Sequence, residues 1–366
     1  MLLPVNFPNL YVPIIGELQQ AFEEFVVKGQ YIGGDLVKNF EKEVSNKIKA
    51  QYVIGCKSGT NALQLALIAA GIKSGDEVIT VANTYYATAW SIIAVGAVPV
   101  FCDTLSENGQ IDCSKIIEKI TPKTKAIMPV HLYGIPCDLD NLRKICSEYN
   151  LTLIEDAAHA FGSKYKNEFI GQHSDFACVS LYPTKNLGAF GDAGIVLTNS
   201  KEREEKVRQL TYFALDAKKE KFNPQALHTL LDPLQANLLN VVLRHIDQYN
   251  KQRQVLANVY YQRLNQFVRV IPEIVAENVV PYMFPFFVEN KDELINYLLE
   301  KDIWIQVNYS VNLHWLPQFK SNLPVPNLPN SEKHNSEVVT LSVHPSFSVE
   351  NANMICDHII NFLKNR

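Results

Sequence analysis

Residues 125–160 read KAIMPVHLYGIPCDLDNLRKICSEYNLTLIEDAAHA. The apolar run from Lys125 predicts a strand, and the helical spacing of apolar residues from Asp138 to Tyr149 predicts a helix. A second apolar run from Leu151 ends on Glu155-Asp156 and predicts another strand. These strands are continuous apolar runs, as expected of strands buried on both faces, and the helix between them serves as a crossover that makes them parallel. The pattern repeats outward. Upstream lie Tyr52-Val53-Ile54-Gly55, a helical pattern from Asn61 to Ala70, EVITVA from Glu77, ATAWSIIAVG from Ala87 and AVPVFCD from Ala97. Downstream lie the strand-like FACVSLY from Phe176 and GIVLT from Gly194. The expected fold is α/β, a mostly parallel central sheet covered by helices. Such sheets bind ligands outside the carboxyl ends of their strands, and the polar residues of this chain gather there.

After Thr198 the character changes. Residues 200–230 are charged and interrupted by Asn223-Pro224, and the Lys218–Lys221 run reads as a solvated loop. A long helical stretch is expected from about Pro233 to Phe267. Proline-rich segments follow, PYMFPFFVE from Pro281 and NLPVPNLPN from Asn322, and a helix ends the chain. This predicts a large domain over residues 1–240 and a smaller C-terminal α+β domain over 241–366.

The chain has 366 residues, 47% hydrophobic and 20% charged, enough apolar content for a sizeable core. A net charge of −4 lacks the basic footprint of a nucleic-acid binder. No apolar stretch is long enough to cross a bilayer. The start, MLLPVNFPNLYVPIIGEL, lacks the positive residues and unbroken apolar run of a secretory signal. A soluble protein without nucleic-acid or membrane partners is expected. Seven cysteines, an odd number without a CxxC pair, argue against a disulfide framework or structural zinc. Cys102 and Cys178 stand inside apolar strands as small buried hydrophobes. The expected compartment is the reducing cytoplasm. His131, His159 and His173 are not spaced as ligands on one helix, so no metal is expected. No GxxxxGK[ST] loop occurs, and Gly188, Gly191 and Gly194 are misspaced for a dinucleotide fingerprint. In Gly55-Cys-Lys-Ser58-Gly59 the serine comes one position late for a nucleophile elbow.

Three segments carry chemistry. Lys57-Ser58-Gly59-Thr60-Asn61 precedes a helix, where unpaired N–H groups and the helix dipole favour an anion; Ser58 or Thr60 also suits a plain N-cap. Glu155-Asp156 closes a buried strand, where a carboxylate demands a cation, either Arg143, Lys185 or a protonated ligand nitrogen. The alternative is a cap on a following helix. Ser180-Leu-Tyr182-Pro-Thr-Lys185-Asn186 sets a lysine after a buried strand, where neighbours can make it a nucleophile; a lone lysine is more often solvated. An anion cradle, an acid for a protonated heterocycle and a lysine amine are together what pyridoxal 5'-phosphate requires. Tyr85 is a candidate for stacking on its ring, or for ordinary core packing.

Several ordered stretches carry a resemblance over nearly the whole chain. They are Tyr31-Ile-Gly-Gly34 with Phe40-Glu41, SGTNAL from Ser58, GDEVIT from Gly75, ANTYYATA from Ala82 and TPKTKAIMPVHLYGIPCDLD from Thr121. IEDAAHAFG from Ile154 and SLYPTKNLGAFGDAG from Ser180 complete them. The chain resembles the DegT/DnrJ/EryC/StrS sugar aminotransferases, which have the type I fold of pyridoxal-phosphate transferases. The resemblance implies that Lys185 bonds the cofactor, that Asp156 partners its ring nitrogen and that Gly59, Thr60 and Ser180 contact its phosphate. It further implies that Tyr85 stacks on the ring and that His159 stands near the ring hydroxyl. Relatives that dehydrate sugars have histidine in place of the lysine, so Lys185 implies an aminotransferase. A homodimer is implied, with the active site at its interface. Where the family has Asn-Ser-Arg-Leu-Asp, its asparagine reaching the partner's phosphate, this chain has His228-Thr229-Leu230-Leu231-Asp232; His228 can still donate a hydrogen bond, but Leu230 replaces a guanidinium. The usual His-Tyr-Pro is Asn308-Tyr309-Ser310. The implied reaction moves an amino group from L-glutamate to a nucleotide-linked keto sugar, in deoxysugar biosynthesis such as that feeding lipopolysaccharide O-antigen. The YPTKNLGAFGDAG form resembles relatives that aminate the third ring carbon, which favours a dTDP-3-keto-6-deoxyhexose. The alternatives are amination of a 4-keto-6-deoxyhexose and a cofactor-binding regulatory protein without turnover.

Overall fold

The computed structural model describes residues 2–212, 224–319 and 326–365. The Lys218–Lys221 run and residues 322–325, the first part of the second proline-rich segment, lie outside the described residues. Helices α1 (Phe7–Tyr11), α2 (Ile15–Lys28) and α3 (Asp35–Ile48) lead into strand β1 (Tyr52–Cys56) and helix α4 (Gly59–Ala69). Next come β2 (Glu77–Val81), α5 (Tyr86–Ala94), β3 (Val98–Cys102), β4 (Thr124–Ile127), α6 (Leu139–Tyr149) and β5 (Thr152–Asp156). A small hairpin, β6 (Lys164–Tyr165) and β7 (Glu168–Phe169), precedes β8 (Phe176–Ser180), β9 (Gly194–Thr198) and α7 (Lys201–Leu210).

Seven of these strands form one sheet in the order β1-β9-β8-β5-β4-β2-β3. Only β9 runs against its neighbours, β1 and β8; every other pairing is parallel. Alternate residues of each strand feed two separate cores. Val53, Ile79, Leu153, Val179 and Ile195 point to one face, beneath α2, α3, α6 and a later helix, α8 (Pro233–Arg244). Ile54, Val78, Ile154, Cys178 and Val196 point to the other, beneath α4. This two-sided burial is why the strands read as unbroken apolar runs. The strand expected from Lys125 stops at Ile127, because Pro129 has no N–H to continue a ladder. Val130 keeps only an isolated bridge to Asp156.

The expected single helix from Pro233 to Phe267 is two, α8 (Pro233–Arg244) and α9 (Ile246–Leu264). His245 breaks it at φ −97°, ψ 0°, while its ring reaches Glu17 Oε1 of α2 at 2.8 Å. A second sheet, β10-β11-β12 (Arg269–Val270, Met283–Phe287, Val338–Ser342), packs against α10 (Lys291–Glu300) and α12 (Val349–Lys364). A further helix, α11 (Pro329–Glu337), precedes β12. The first turns of α9, with Ile246 and Tyr249, belong to the core of the large sheet, whereas Leu256, Tyr260 and Leu264 belong to that of the small one. The amino terminus also joins the second core, through a bridge from Leu2 to Ile303. Among the described residues, no helix is long and apolar enough to cross a membrane.

Candidate active site

The carboxyl ends of β5 and β8 and the amino end of α4 converge on a cavity of about 380 Å³. Gly59, Thr60, Tyr85, Asp156, His159, Ser180 and Lys185 all line it. Residues up to 126 positions apart, predicted one by one from sequence, thus share a single space.

The amino end of α4 supplies one wall. Ser58 is its N-cap, its Oγ accepting from the Asn61 N–H at 3.1 Å. The cap reading and the anion reading are therefore compatible, since the next N–H groups, of Gly59 and Thr60, remain outside the helical ladder. Gly59 is required by close approach: a Cβ there would lie 2.6 Å from Ser180 Cβ. Gly194 is equally constrained, its absent Cβ falling 2.4 Å from the Ser58 carbonyl carbon. The two glycines bring a helix terminus, the Thr60 hydroxyl and the Ser180 hydroxyl into one cradle fitted to an anion.

Asp156 stands opposite, buried at the end of β5. Its Oδ2 accepts from Thr88 Oγ1 at 2.8 Å, and its Oδ1 from the Ala158 N–H at 3.2 Å. No helix follows it, so it caps a turn and the helix-cap alternative is corrected. Arg143 is not its partner either; it lies on α6 in a separate surface groove with Asp140 and Lys144. Burial pushes the Asp156 carboxyl above its usual range, while Thr88, the Ala158 N–H, the Lys185 charge and then the nearby His131 ring pull it back. The backbone here is held firmly. The His131 N–H donates to the Asp156 carbonyl, and the His131 ring pairs with Glu155 at 2.6 Å, both side chains fully buried. Because His131 Nδ1 accepts from the Cys137 N–H, Nε2 carries the proton given to Glu155.

Lys185 follows β8 and lies half-buried, its Nζ 4.3 Å from the centre of the Tyr282 ring. His159 also packs on Tyr282, the two rings stacked with their centres 4.2 Å apart. Burial, and then the Lys185 charge, hold the His159 imidazole well below its usual range, so it is neutral. Its Nδ1 accepts from the Tyr133 N–H, which leaves the Nε2 proton facing the Tyr309 hydroxyl at 3.3 Å. Tyr85 is 44% exposed and forms the cavity rim, which excludes the core-packing alternative. His228 is not part of this wall. It is exposed and its ring lies 5.6 Å from that of Tyr212, while Thr229 and Leu230 bond to the backbone at the end of β1.

Sequence reasoning missed Thr88, Tyr282 and the lining role of Tyr309. A signal existed for Thr88, a buried hydroxyl near the start of the apolar helix α5 and inside the quoted ANTYYATA stretch. Tyr282, in a proline-flanked apolar run, offered none.

A model of the DegT/DnrJ/EryC1/StrS aminotransferase family matches residues 13–360. The chain belongs to this family. A pleiotropic regulatory protein of Geobacillus stearothermophilus is 35% identical to this family member, covering 98% of this chain and 99% of its own. The dTDP-3-amino-3,6-dideoxy-alpha-D-galactopyranose transaminase of Aneurinibacillus thermoaerophilus is 36% identical over 94% of each chain. Among solved structures, DesV of S. venezuelae in complex with a ketimine intermediate superposes with a TM-score of 0.93 at 32% identity, covering 98% of this chain and 97% of its own.

As a member of this aminotransferase family, the protein uses pyridoxal phosphate. The cavity fits the group: a glycine-built anion cradle, a buried carboxylate without an ion-pair partner among the described residues, and a lysine amine share one space. Thr88→Val tests the electrostatics. Thr88 donates to the charged carboxylate and lowers its pKa, so losing that bond moves Asp156 further upward. Affinity for pyridoxal phosphate is then expected to fall first on the acid side, by on the order of tenfold, and to approach the wild-type value as pH rises. Absorbance titrations of the two apoproteins across pH check this; parallel curves displaced equally at every pH would refute it.

Proposed function

We propose that the protein transfers the amino group of L-glutamate to a nucleotide-linked keto sugar, a dTDP-3-keto-6-deoxyhexose, as a cytoplasmic homodimer. The observation that carries this reading is the placement of Asp156 and Lys185 in one cavity with the Gly59–Ser180 cradle. When bound, the cofactor supplies a carbonyl that exchanges for an amino group and a protonated ring that draws electrons from the reacting carbon. Gly59, Thr60 and Ser180 would hold its phosphate, Asp156 would keep the proton on its ring nitrogen, and Tyr85 would cover the ring. His159, neutral and donating from Nε2, would face the ring hydroxyl. Lys185 would hold the cofactor through its Nζ, and the same amine, when free, would serve as the base that takes the proton from the donor's α carbon and as the acid that delivers one to the sugar carbon. Tyr282 flattens against the lysine and keeps water from that side of Nζ.

Amination at the third carbon is supported by the Aneurinibacillus relative, whose name specifies a 3-amino sugar. Self-association is supported by Tyr86, Trp90 and Ile93, an exposed apolar row at helical spacing on α5 beside the cavity rim. We further propose a division into two domains near residue 240, supported by a cavity that lies between the two cores and takes Tyr282 and Tyr309 from the second. The name of the Geobacillus relative keeps one second reading, a regulator that binds the cofactor without turnover. Incubation with glutamate and matched 3-keto and 4-keto dTDP-6-deoxyhexoses decides among them. Amination of the 3-keto sugar is expected. Amination of the 4-keto sugar alone would move the position, and no amination of either would favour the regulator. Sedimentation of the same preparation as a monomer would remove the dimer.

A further inference from the structure

Arg253, on α9, is the largest fully buried side chain among the described residues, 1% exposed. Among the described residues it pairs with no carboxylate. Its Nη1 donates to the Tyr282 carbonyl at 3.5 Å and its Nη2 to the Lys185 carbonyl at 3.4 Å; Nε has no partner. Burial pushes the guanidinium down to about 10, with Tyr282 and Tyr11 opposing, so it stays charged at neutral pH. A buried cation held by two long bonds to neutral carbonyls is a poor choice for stability, and an apolar side chain of similar volume packs such a site more favourably. A liability of this kind points to function.

The two carbonyls identify the function. One belongs to the lysine of the cavity and the other to the tyrosine whose ring lies under that lysine's Nζ at 4.3 Å. They come from separate segments, the loop after β8 and the residue before β11, and the planar fork of one guanidinium spans them. Neighbouring bonds brace the same junction: Thr184 Oγ1 meets Tyr282 Oη at 3.2 Å, and Asn186 Nδ2 donates to the Val280 carbonyl at 3.3 Å. We propose that Arg253 is a positioning residue that clamps the Lys185 loop to the Tyr282 segment and so aims Lys185 Nζ across the ring into the cavity. This rests on the reading of Lys185 as the residue that bonds the cofactor.

Pyridoxal phosphate and pyridoxamine phosphate separate aim from mere fit, because both use the phosphate cradle but only the aldehyde bonds to the lysine. The test compares wild type, Arg253→Met and Arg253→Lys as full-length apoproteins. Arg253→Met is expected to melt at or above the wild-type temperature and to bind pyridoxamine phosphate within about twofold of wild type. It is expected to capture pyridoxal phosphate, followed by visible absorbance, at least about tenfold more slowly. Arg253→Lys, with one ammonium where a fork spanned two carbonyls, should fall between. Capture at the wild-type rate would overturn the proposal. So would a proportional loss of both ligands with a lowered melting temperature, which marks a purely structural role. If Arg253→Met does not fold, Arg253→Lys carries the comparison, and an unchanged capture rate in it is overturning. A wild-type protein that captures no pyridoxal phosphate would strike instead at the reading of Lys185 beneath the proposal.

Discussion

Lys185→Ala is expected to leave a folded protein that binds pyridoxal phosphate reversibly and transfers amino groups at least about a thousandfold more slowly. The fold does not depend on the side chain: it is half-buried, and the ring of Tyr282 is the contact its ammonium makes at 4.3 Å. A cation–π contact of that kind contributes about 0.5–2 kcal/mol, a small part of the stability of a chain this size. The expected loss therefore falls on chemistry, where the proposed function gives Lys185 two roles, the bond that holds the cofactor and the base that moves the proton. Acid–base positioning alone contributes roughly 10²–10⁴-fold. Borohydride reduction separates the roles from simple binding. After reduction and denaturation, wild type is expected to retain the cofactor covalently and the variant to lose it. Retention in the variant would assign the bond to another lysine, and turnover at the wild-type rate would remove Lys185 from the reaction.

The strands that build the large sheet were legible because both of their faces are covered. Val53 and Ile54, or Val78 and Ile79, serve opposite cores, so each strand leaves a continuous apolar mark in the chain. Gly59, Asp156 and Lys185 were legible for a related reason: each interrupts or follows an apolar element where a polar residue has to be explained. What stayed hidden depends on contacts between distant segments. Thr88 matters because its hydroxyl meets a carboxylate 68 positions away, and nothing near Thr88 in sequence records that. Arg253 reads locally as one more charged residue on a long helix, and only the fold reveals that it is buried against two carbonyls. The break at His245 likewise depends on Glu17, from the other end of the chain. At the end of β5 only the helix-cap alternative fails: a carboxylate after a strand suits such a cap, but here a turn and a buried threonine take its oxygens.

Asp156→Asn is expected to lower kcat by about 10²–10⁴-fold while changing affinity for pyridoxal phosphate much less. The amide has the size of the carboxylate, and its oxygen can still accept from the Ala158 N–H, so the strand end is preserved. The charge is what disappears. Losing one member of a buried ion pair costs about 3–5 kcal/mol, and about 1.4 kcal/mol corresponds to each factor of ten in rate. In addition, the amide nitrogen donates a hydrogen bond, which favours the unprotonated ring nitrogen and so opposes the electron-withdrawing form. This fixes the sign of the pH dependence. On the proposed reading, the wild-type Asp156 carboxylate holds the ring proton at neutral pH, and activity is expected to fall on the acid side as the carboxyl, raised by burial, takes up a proton. In the variant there is no carboxyl to titrate, and acid supplies the ring proton that the protein no longer stabilises. Residual activity should therefore rise toward low pH over the range in which wild type declines. Steady-state rates for both proteins across pH decide the point. A variant whose profile keeps the wild-type acid limb would show that the limb belongs to another group and that Asp156 does not govern the ring proton.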